Sequence, residues 1–166
     1  LRQTDPRGLV VEMTYDAIGR MTSRTAGGKR ASWTYDTRPN GIGRLSESSA
    51  GVRRNRVFTY DAFSRVAQVR TTVGKDTVSA LYQYDALSRV TKTSFSTGVQ
   101  LMNRYDARGF WREVRLFDGS ATTRVYALTS VDAGGRIRGE ALGTAAHANG
   151  NGHVTSGERA KLIALR

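Results

Sequence analysis

The chain has 166 residues, 39% of them hydrophobic, and a net charge of +12 at pH 7. That length is enough for one domain with its own core, and the lack of cysteine excludes disulfides and cysteine-ligated metals. No stretch approaches the roughly 20 apolar residues of a membrane-spanning helix, and no signal peptide opens the chain, so any export is directed by sequence elsewhere.

A six-residue phrase recurs along the chain. Tyr15-Asp16 is followed by Gly19-Arg20, Tyr35-Asp36 by Gly43-Arg44, Tyr60-Asp61 by Ser64-Arg65, and Tyr84-Asp85 by Ser88-Arg89. Tyr105-Asp106 is followed by Gly109 but has Phe110 where the others carry Arg, and Val131-Asp132 keeps Gly135-Arg136 but lacks the Tyr. The interval is irregular, which predicts hairpins of unequal loop length rather than the coils of a tight solenoid. The second copy is lengthened by four residues inside Asp36-Thr37-Arg38-Pro39-Asn40-Gly41-Ile42-Gly43-Arg44.

Each phrase reads as a turn. An Asp at the first position accepts hydrogen bonds from backbone N–H groups two or more residues on. Gly at the fourth position supplies the positive φ of a type I turn followed by a bulge. Ser64 and Ser88 fill that position at a conformational cost, or those two turns differ slightly. Before the turns, Trp33 with Tyr35, Phe58 with Tyr60 and Tyr82 with Tyr84 alternate as strand residues on one face. After the turns come Met21, Leu45, Val66, Val90, Trp111 and Ile137. Tyr and the Arg across the turn are placed for hydroxyl or cation–π contact.

Between phrases lies a second turn, marked by Gly27-Gly28, Gly51, Gly74, Gly98 and Gly119. Each unit is therefore strand, Tyr-Asp turn, strand, Gly turn, with strands of about seven to nine residues. The fold class is all-β: a long antiparallel meander of hairpin repeats over residues 1–140, forming a twisted, curled sheet. Residues 141–166 read as an irregular tail, either a degenerate repeat or the start of a following segment, ending in a short helix or strand.

The charge has a location. Six of the nine Asp sit in the repeated phrase and five of these are answered by an Arg, so the excess lies between phrases, at Lys29, Arg30, Arg53, Arg54, Arg56, Arg70, Arg112, Arg115 and Arg124. A basic surface attracts nucleic acid or anionic lipid. Spread along the chain, these cations read instead as a solvated strand face or the lining for an acidic companion.

With most Asp committed to turns, few carboxylates remain for acid–base catalysis. The only histidines are His147 and His153, and neither a phosphate loop nor a nucleophile elbow occurs. Residues 147–158 have calcium-loop spacing, with Asn149 and Asn151 at ligand positions and Glu158 at the twelfth. His147 stands at the first position and only Glu158 is acidic, so a decayed repeat turn or Gly/Asn loop is the stronger reading. No enzyme, cofactor or metal site is expected.

The repeated phrase resembles that of the Rhs, or YD-repeat, family over roughly residues 3–140. Thr4-Asp5-Pro6-Arg7-Gly8-Leu9 leading into Met13-Thr14-Tyr15-Asp16 is similar to that family's linker-plus-repeat phrase. The resemblance implies a β-ribbon that spirals into a hollow shell. The family includes bacterial polymorphic toxins, components of insecticidal Tc toxins, wall-associated proteins and teneurins, and in the toxins the shell encloses a toxic polypeptide. It further implies that this chain is an arc of such a wall, part of a longer bacterial protein that is secreted or at the cell surface. Its partners would be neighbouring repeats and an enclosed polypeptide. The alternative is a cell-envelope module that contacts carbohydrate or anionic polymer through a basic β-surface, with nucleic acid the less favoured ligand. The family also carries an aspartyl self-cleavage site near an Asp-Pro-x-Gly-Leu phrase. Asp5-Pro6-Arg7-Gly8-Leu9 fits those five positions but precedes the repeats, and reads as an ordinary inter-repeat turn.

Overall fold

In the computed structural model, residues 1–51 and 53–143 are described. They form thirteen strands and no helix. These are β1 (Arg2–Thr4), β2 (Val10–Tyr15), β3 (Met21–Ala26), β4 (Lys29–Tyr35), β5 (Leu45–Ala50), β6 (Arg54–Tyr60) and β7 (Val66–Val73). Then follow β8 (Asp76–Tyr84), β9 (Val90–Phe95), β10 (Gln100–Tyr105), β11 (Trp111–Phe117), β12 (Thr122–Val131) and β13 (Ile137–Leu142). Their order in the sheet is their order in the chain, so the fold is all-β and an antiparallel meander. The β13 ladder carries pairing to Leu142, past the expected limit at residue 140. Several strands hold only six residues, such as β2, β3 and β5, because the five-residue Asp turns take up more of each repeat than a tight hairpin would.

The contacts divide the chain into two compact units. One comprises Leu1–Gln83 with Thr93–Thr97, the other Tyr84–Lys92 with the residues from Gly98 on.

The first unit has two unlike faces, fixed by register. Met13, Arg24, Ala31 and Ala50 lie opposite one another across β2–β5, and Trp33, Ser48, Arg56 and Thr71 across β4–β7. Because side chains alternate along a strand, Tyr35, Phe58 and Tyr60 share this aromatic face. The opposite face carries an unbroken cross-strand row: Thr14, Ser23, Ser32, Ser49, Asn55, Thr72 and Thr77. Hydroxyls meet within it, Thr14 with Ser23 at 2.7 Å, Ser32 with Ser49 at 2.8 Å and Thr72 with Thr77 at 2.9 Å. Such pairs stabilise neighbouring strands by a few tenths of a kcal/mol to about 1 kcal/mol each.

Little is fully covered. Among the described residues only Val114 of the large apolar side chains is buried, together with Ser23, Ser46 and Thr93. Ladder hydrogen bonds and half-buried cross-strand pairs, rather than a sealed core, hold these strands.

Candidate functional site

The expected site residues gather at the turns. Because consecutive strands reverse, the Asp16, Asp36 and Asp61 turns lie at one end of the first unit's strands, and the Gly27, Gly51 and Gly74 turns at the other. In the second unit Asp85, Asp106 and Asp132 share one strand end in the same way.

The bonding repeats from turn to turn. At Asp61, its backbone N–H donates to the Arg65 carbonyl at 2.9 Å and Ser64 N–H donates back to the Asp61 carbonyl at 3.0 Å. The Asp61 carboxylate accepts the N–H groups of Phe63 and Arg65, both at 2.9 Å, and the Arg65 Nε at 2.7 Å. Asp16 and Asp85 make the same five bonds. The side chain thus holds backbone donors that the turn leaves without ladder partners. The fourth turn position adopts positive φ throughout, with +83° at Gly19, +58° at Ser64 and +61° at Ser88. The strand then slips by one residue between Thr14 and Tyr15, and between Thr59 and Tyr60, which is the bulge that follows such a turn.

Successive repeats interlock through the Arg and the next Tyr. The Arg20 guanidinium lies 4.3 Å from the centre of the Tyr35 ring, and Arg89 lies 4.5 Å from that of Tyr105. The contact joins neighbouring repeats, not the Tyr and Arg of one turn as the sequence suggests; Arg65 also covers Phe63 of its own turn at 4.9 Å. The Tyr hydroxyls reach back as well. Tyr35 donates to the Met21 carbonyl at 3.0 Å, Tyr60 to Leu45 at 2.5 Å and Tyr105 to Val90 at 3.0 Å. Each acceptor is the first residue of a strand just past a turn.

Three turns depart from the sequence pairing. The Asp36 carboxylate is paired with the guanidinium of Arg20, through Nη1 at 3.2 Å and Nη2 at 2.6 Å, and Arg44 meets Asp36 through its backbone. The four-residue insertion accounts for this: it breaks into two short turns, Gly41 N–H to Arg38 carbonyl and Arg44 N–H to Gly41 carbonyl. Asp36 itself takes φ +65° and its carboxylate accepts Gly43 N–H at 2.6 Å. Gly41 seats the loop against Tyr60, since a Cβ there would meet the ring at 3.0 Å. At Asp106, where Phe110 replaces Arg, Arg112 supplies its Nε at 2.9 Å. At Asp132, Arg138 and not Arg136 makes the ion pair, at 3.0 Å. Both substitutes come from the bulge residue two positions beyond the usual one.

Electrostatics follow the bonding. Partial burial raises the Asp61 carboxyl, but the N–H and guanidinium of Arg65 outweigh it, and the group lies below the ordinary carboxylate range. At Asp85 the Arg89 N–H is the leading cause of the same lowering, and at Asp36 the Arg20 guanidinium. Asp16 and Asp106 are lowered likewise, against burial. Strongly ionised carboxylates bound to Arg and to backbone donors have no proton to exchange near neutral pH, which suits a structural clamp and not a general acid.

Asp5-Pro6-Arg7-Gly8-Leu9 forms the backbone part of the same clamp, with no guanidinium on the Asp5 carboxylate among the described residues. The Asp5 carboxylate accepts Arg7 N–H at 2.9 Å and Leu9 N–H at 2.8 Å, and Gly8 N–H donates to the Asp5 carbonyl at 2.9 Å. It joins β1 to β2, at the strand end that carries the Gly turns.

Trp33 is half-buried, while Trp111 is 44% exposed and stacks on Tyr126 with centroids 4.7 Å apart. No group of three or more metal-ligating side chains occurs among the described residues. His147, His153 and the calcium-like spacing of Asn149, Asn151 and Glu158 lie outside those residues, as does the proposed terminal helix or strand. Among the described residues no helix is long and apolar enough to cross a membrane.

Residues 1–31 match the family model described as RHS Repeat. Those residues carry an Rhs, or YD, repeat. No curated protein matches it by sequence. Among solved structures, that of TcdB2-TccC3 without its hypervariable C-terminal region superposes with a TM-score of 0.68 at 12% identity, over 86% of this chain. The structure of TcdB2-TccC3-TEV superposes with a TM-score of 0.52 at 15% identity, over 75% of this chain. At such identity the likeness is one of fold. This chain spans only 8% and 9% of the matched chains.

The hydroxyl row of this sheet, and the exchange of arginines at Asp36, Asp106 and Asp132, are not visible in the repeated phrase. A Thr, Ser or Asn recurs in every strand from β2 to β8, yet only the register places these residues in one line.

Proposed function

We propose that this chain is wall material: a segment of an Rhs-type shell that sequesters or presents a polypeptide, in a bacterial protein that is secreted or displayed at the cell surface. The observation that carries this reading is that every described motif carboxylate is spent on holding a turn, and that three of the six clamps, at Asp16, Asp36 and Asp85, bind one repeat to the next through Arg20 and Arg89. Arg20 touches Asp16, Asp36 and Tyr35 at once, so its chemistry ties repeats together rather than presenting a reactive group. The fold likeness to TcdB2-TccC3 supports the same role. No catalytic residue is assigned, and the partners are neighbouring repeats and an enclosed polypeptide.

Limited proteolysis of the complete gene product tests this. A polypeptide segment outside the repeats should resist protease until denaturant opens the wall, then be cut rapidly. Cleavage of every segment at the same rate from the start would overturn the proposal.

A second reading, a surface for carbohydrate or anionic polymer, is favoured by one observation: Trp111 remains 44% exposed beside Tyr126. Titration with neutral and anionic polysaccharides, followed by tryptophan fluorescence, would show it as a saturable change that Trp111→Ala abolishes.

A further inference from the structure

The cations of the first unit divide into two populations. Arg20 and Arg65, at the Asp-turn end, are ion-paired. Arg24, Lys29, Arg54 and Arg56, toward the Gly-turn end, are exposed and form no ion pair among the described residues. Register puts these four on the aromatic face. Arg24 lies opposite Ala31, Lys29 lies opposite Ala26 two residues along, Arg56 lies opposite Ser48 and thus level with Trp33, and Arg54 is two residues from Arg56.

Between them the surface sinks. Ala31 and Ala50, paired across β4 and β5, have the smallest of side chains and floor two adjoining depressions of about 440 and 280 Å³. Arg24 and Lys29 border the first, and Trp33, Arg54 and Arg56 the second. The cations of β3 and β6 are separated by three strand spacings, or about 14 Å. The trough is thus basic along its sides and small and apolar at its base. Asp76, opposite Val73, is the one acidic side chain that the described β2–β8 ladders put on this face.

We infer that this trough binds an extended acidic segment of polypeptide. A chain lying along β4 and β5 with side chains alternating left and right would offer carboxylates to Arg24 and Lys29 on one side and to Arg54 and Arg56 on the other. Its backbone would rest over the two alanines, where no bulky side chain stands. Charge complementarity selects the acidic partner. A single strand of nucleic acid is the poorer fit, because such sites stack successive bases on several aromatic rings, and only Trp33 lines this trough. The inference deepens the wall reading: it rests on the partner being a polypeptide, and names its chemistry and where it touches.

The test is fluorescence anisotropy with a labelled poly-glutamate peptide of about ten residues, titrated with this chain at low salt. The double variant Arg24→Gln/Arg56→Gln should weaken binding by about tenfold or more. Arg2→Gln/Arg70→Gln removes the same charge from the opposite face and should change it less than about twofold. Arg24→Lys/Arg56→Lys keeps the charge and should retain most of the binding, which separates loss of the trough from loss of fold. Equal weakening by the two Gln pairs, tighter binding of an oligothymidine of equal length, or no peptide binding at low salt would each overturn the inference. The titration uses this chain alone, so its failure leaves the proteolysis result for the wall unaffected, and the reverse holds too.

Discussion

The two ends of the first unit's strands treat charge in opposite ways. At the Asp-turn end, each motif carboxylate meets an Arg and two or more backbone N–H groups, and the guanidiniums of Arg20 and Arg65 also cover aromatic rings. At the Gly-turn end, apart from the Asp5 turn before β2, glycines make the reversal by backbone geometry, as at Gly74 with φ +65°, and the nearby cations Arg24, Lys29, Arg54 and Arg56 face solvent. One end uses Arg20 and Arg65, though not Arg44, to hold the fold. The other leaves its cations available, which is why the net charge of +12 belongs to surface and not to architecture.

Acid should expose this contrast most strongly. The carboxyls of Asp16, Asp36, Asp61, Asp85 and Asp106 all lie below their ordinary value. Their contribution to stability is present above the unfolded carboxylate range near pH 4 and is lost as pH falls through the folded values. The urea midpoint should therefore hold steady from pH 7 to pH 5 and drop steeply between about pH 4 and pH 2, by more than any single substitution produces. A midpoint independent of pH over that range would mean that the clamps do not support the fold.

Removing one clamp should come next in size. Asp61→Ala strands the Arg65 guanidinium and two backbone donors, and should lower the melting temperature by on the order of 5 °C. Lys75→Ala, in the neighbouring Gly turn, should leave it within about 1 °C. Equal effects at the two ends would erase the distinction.

How much of this could be read in the residues depends on distance along the chain. The turns were legible because their bonds join residues two to four apart: Asp61 to Phe63 and Arg65 can be inferred from a phrase of six letters. Positive φ at Ser64 and Ser88 follows from the same phrase. The links between repeats were not legible. Arg20 reaches Asp36 across sixteen residues, and Arg112 replaces the missing Arg at Phe110 only because a bulge turns the second residue beyond it back toward Asp106. Within a strand the aromatic face was legible, as Trp33 with Tyr35 and Phe58 with Tyr60, but its alignment from strand to strand was not, because each bulge shifts the register of the following strand.

Exchange of residues at the positive-φ position refines the turn end further. Ser64→Gly should stabilise the chain by about 0.5 kcal/mol, the relief of a left-handed serine less the added chain entropy of glycine. Gly19→Ala, at φ +83°, should destabilise by about 1 kcal/mol. Urea denaturation of the pair checks both signs, and a shift in the same direction for both would argue against the turn type.

The smallest effect is expected on the hydroxyl face. Asn55 stands in a row otherwise made of Thr and Ser, and its Oδ1 is buried with no hydrogen-bond partner. Asn55→Thr should continue the row and raise stability by a few tenths of a kcal/mol. A clear loss in the same urea assay would show that the amide has a role the row does not explain.

The wall itself is tested most directly by electron cryomicroscopy of the complete gene product. The expected density is a continuous antiparallel sheet around a cavity, in which β1 and β13 of this chain pair with the strands of neighbouring repeats. A separate tethered domain, with both edge strands unpaired and no enclosed space beside it, would contradict the proposal.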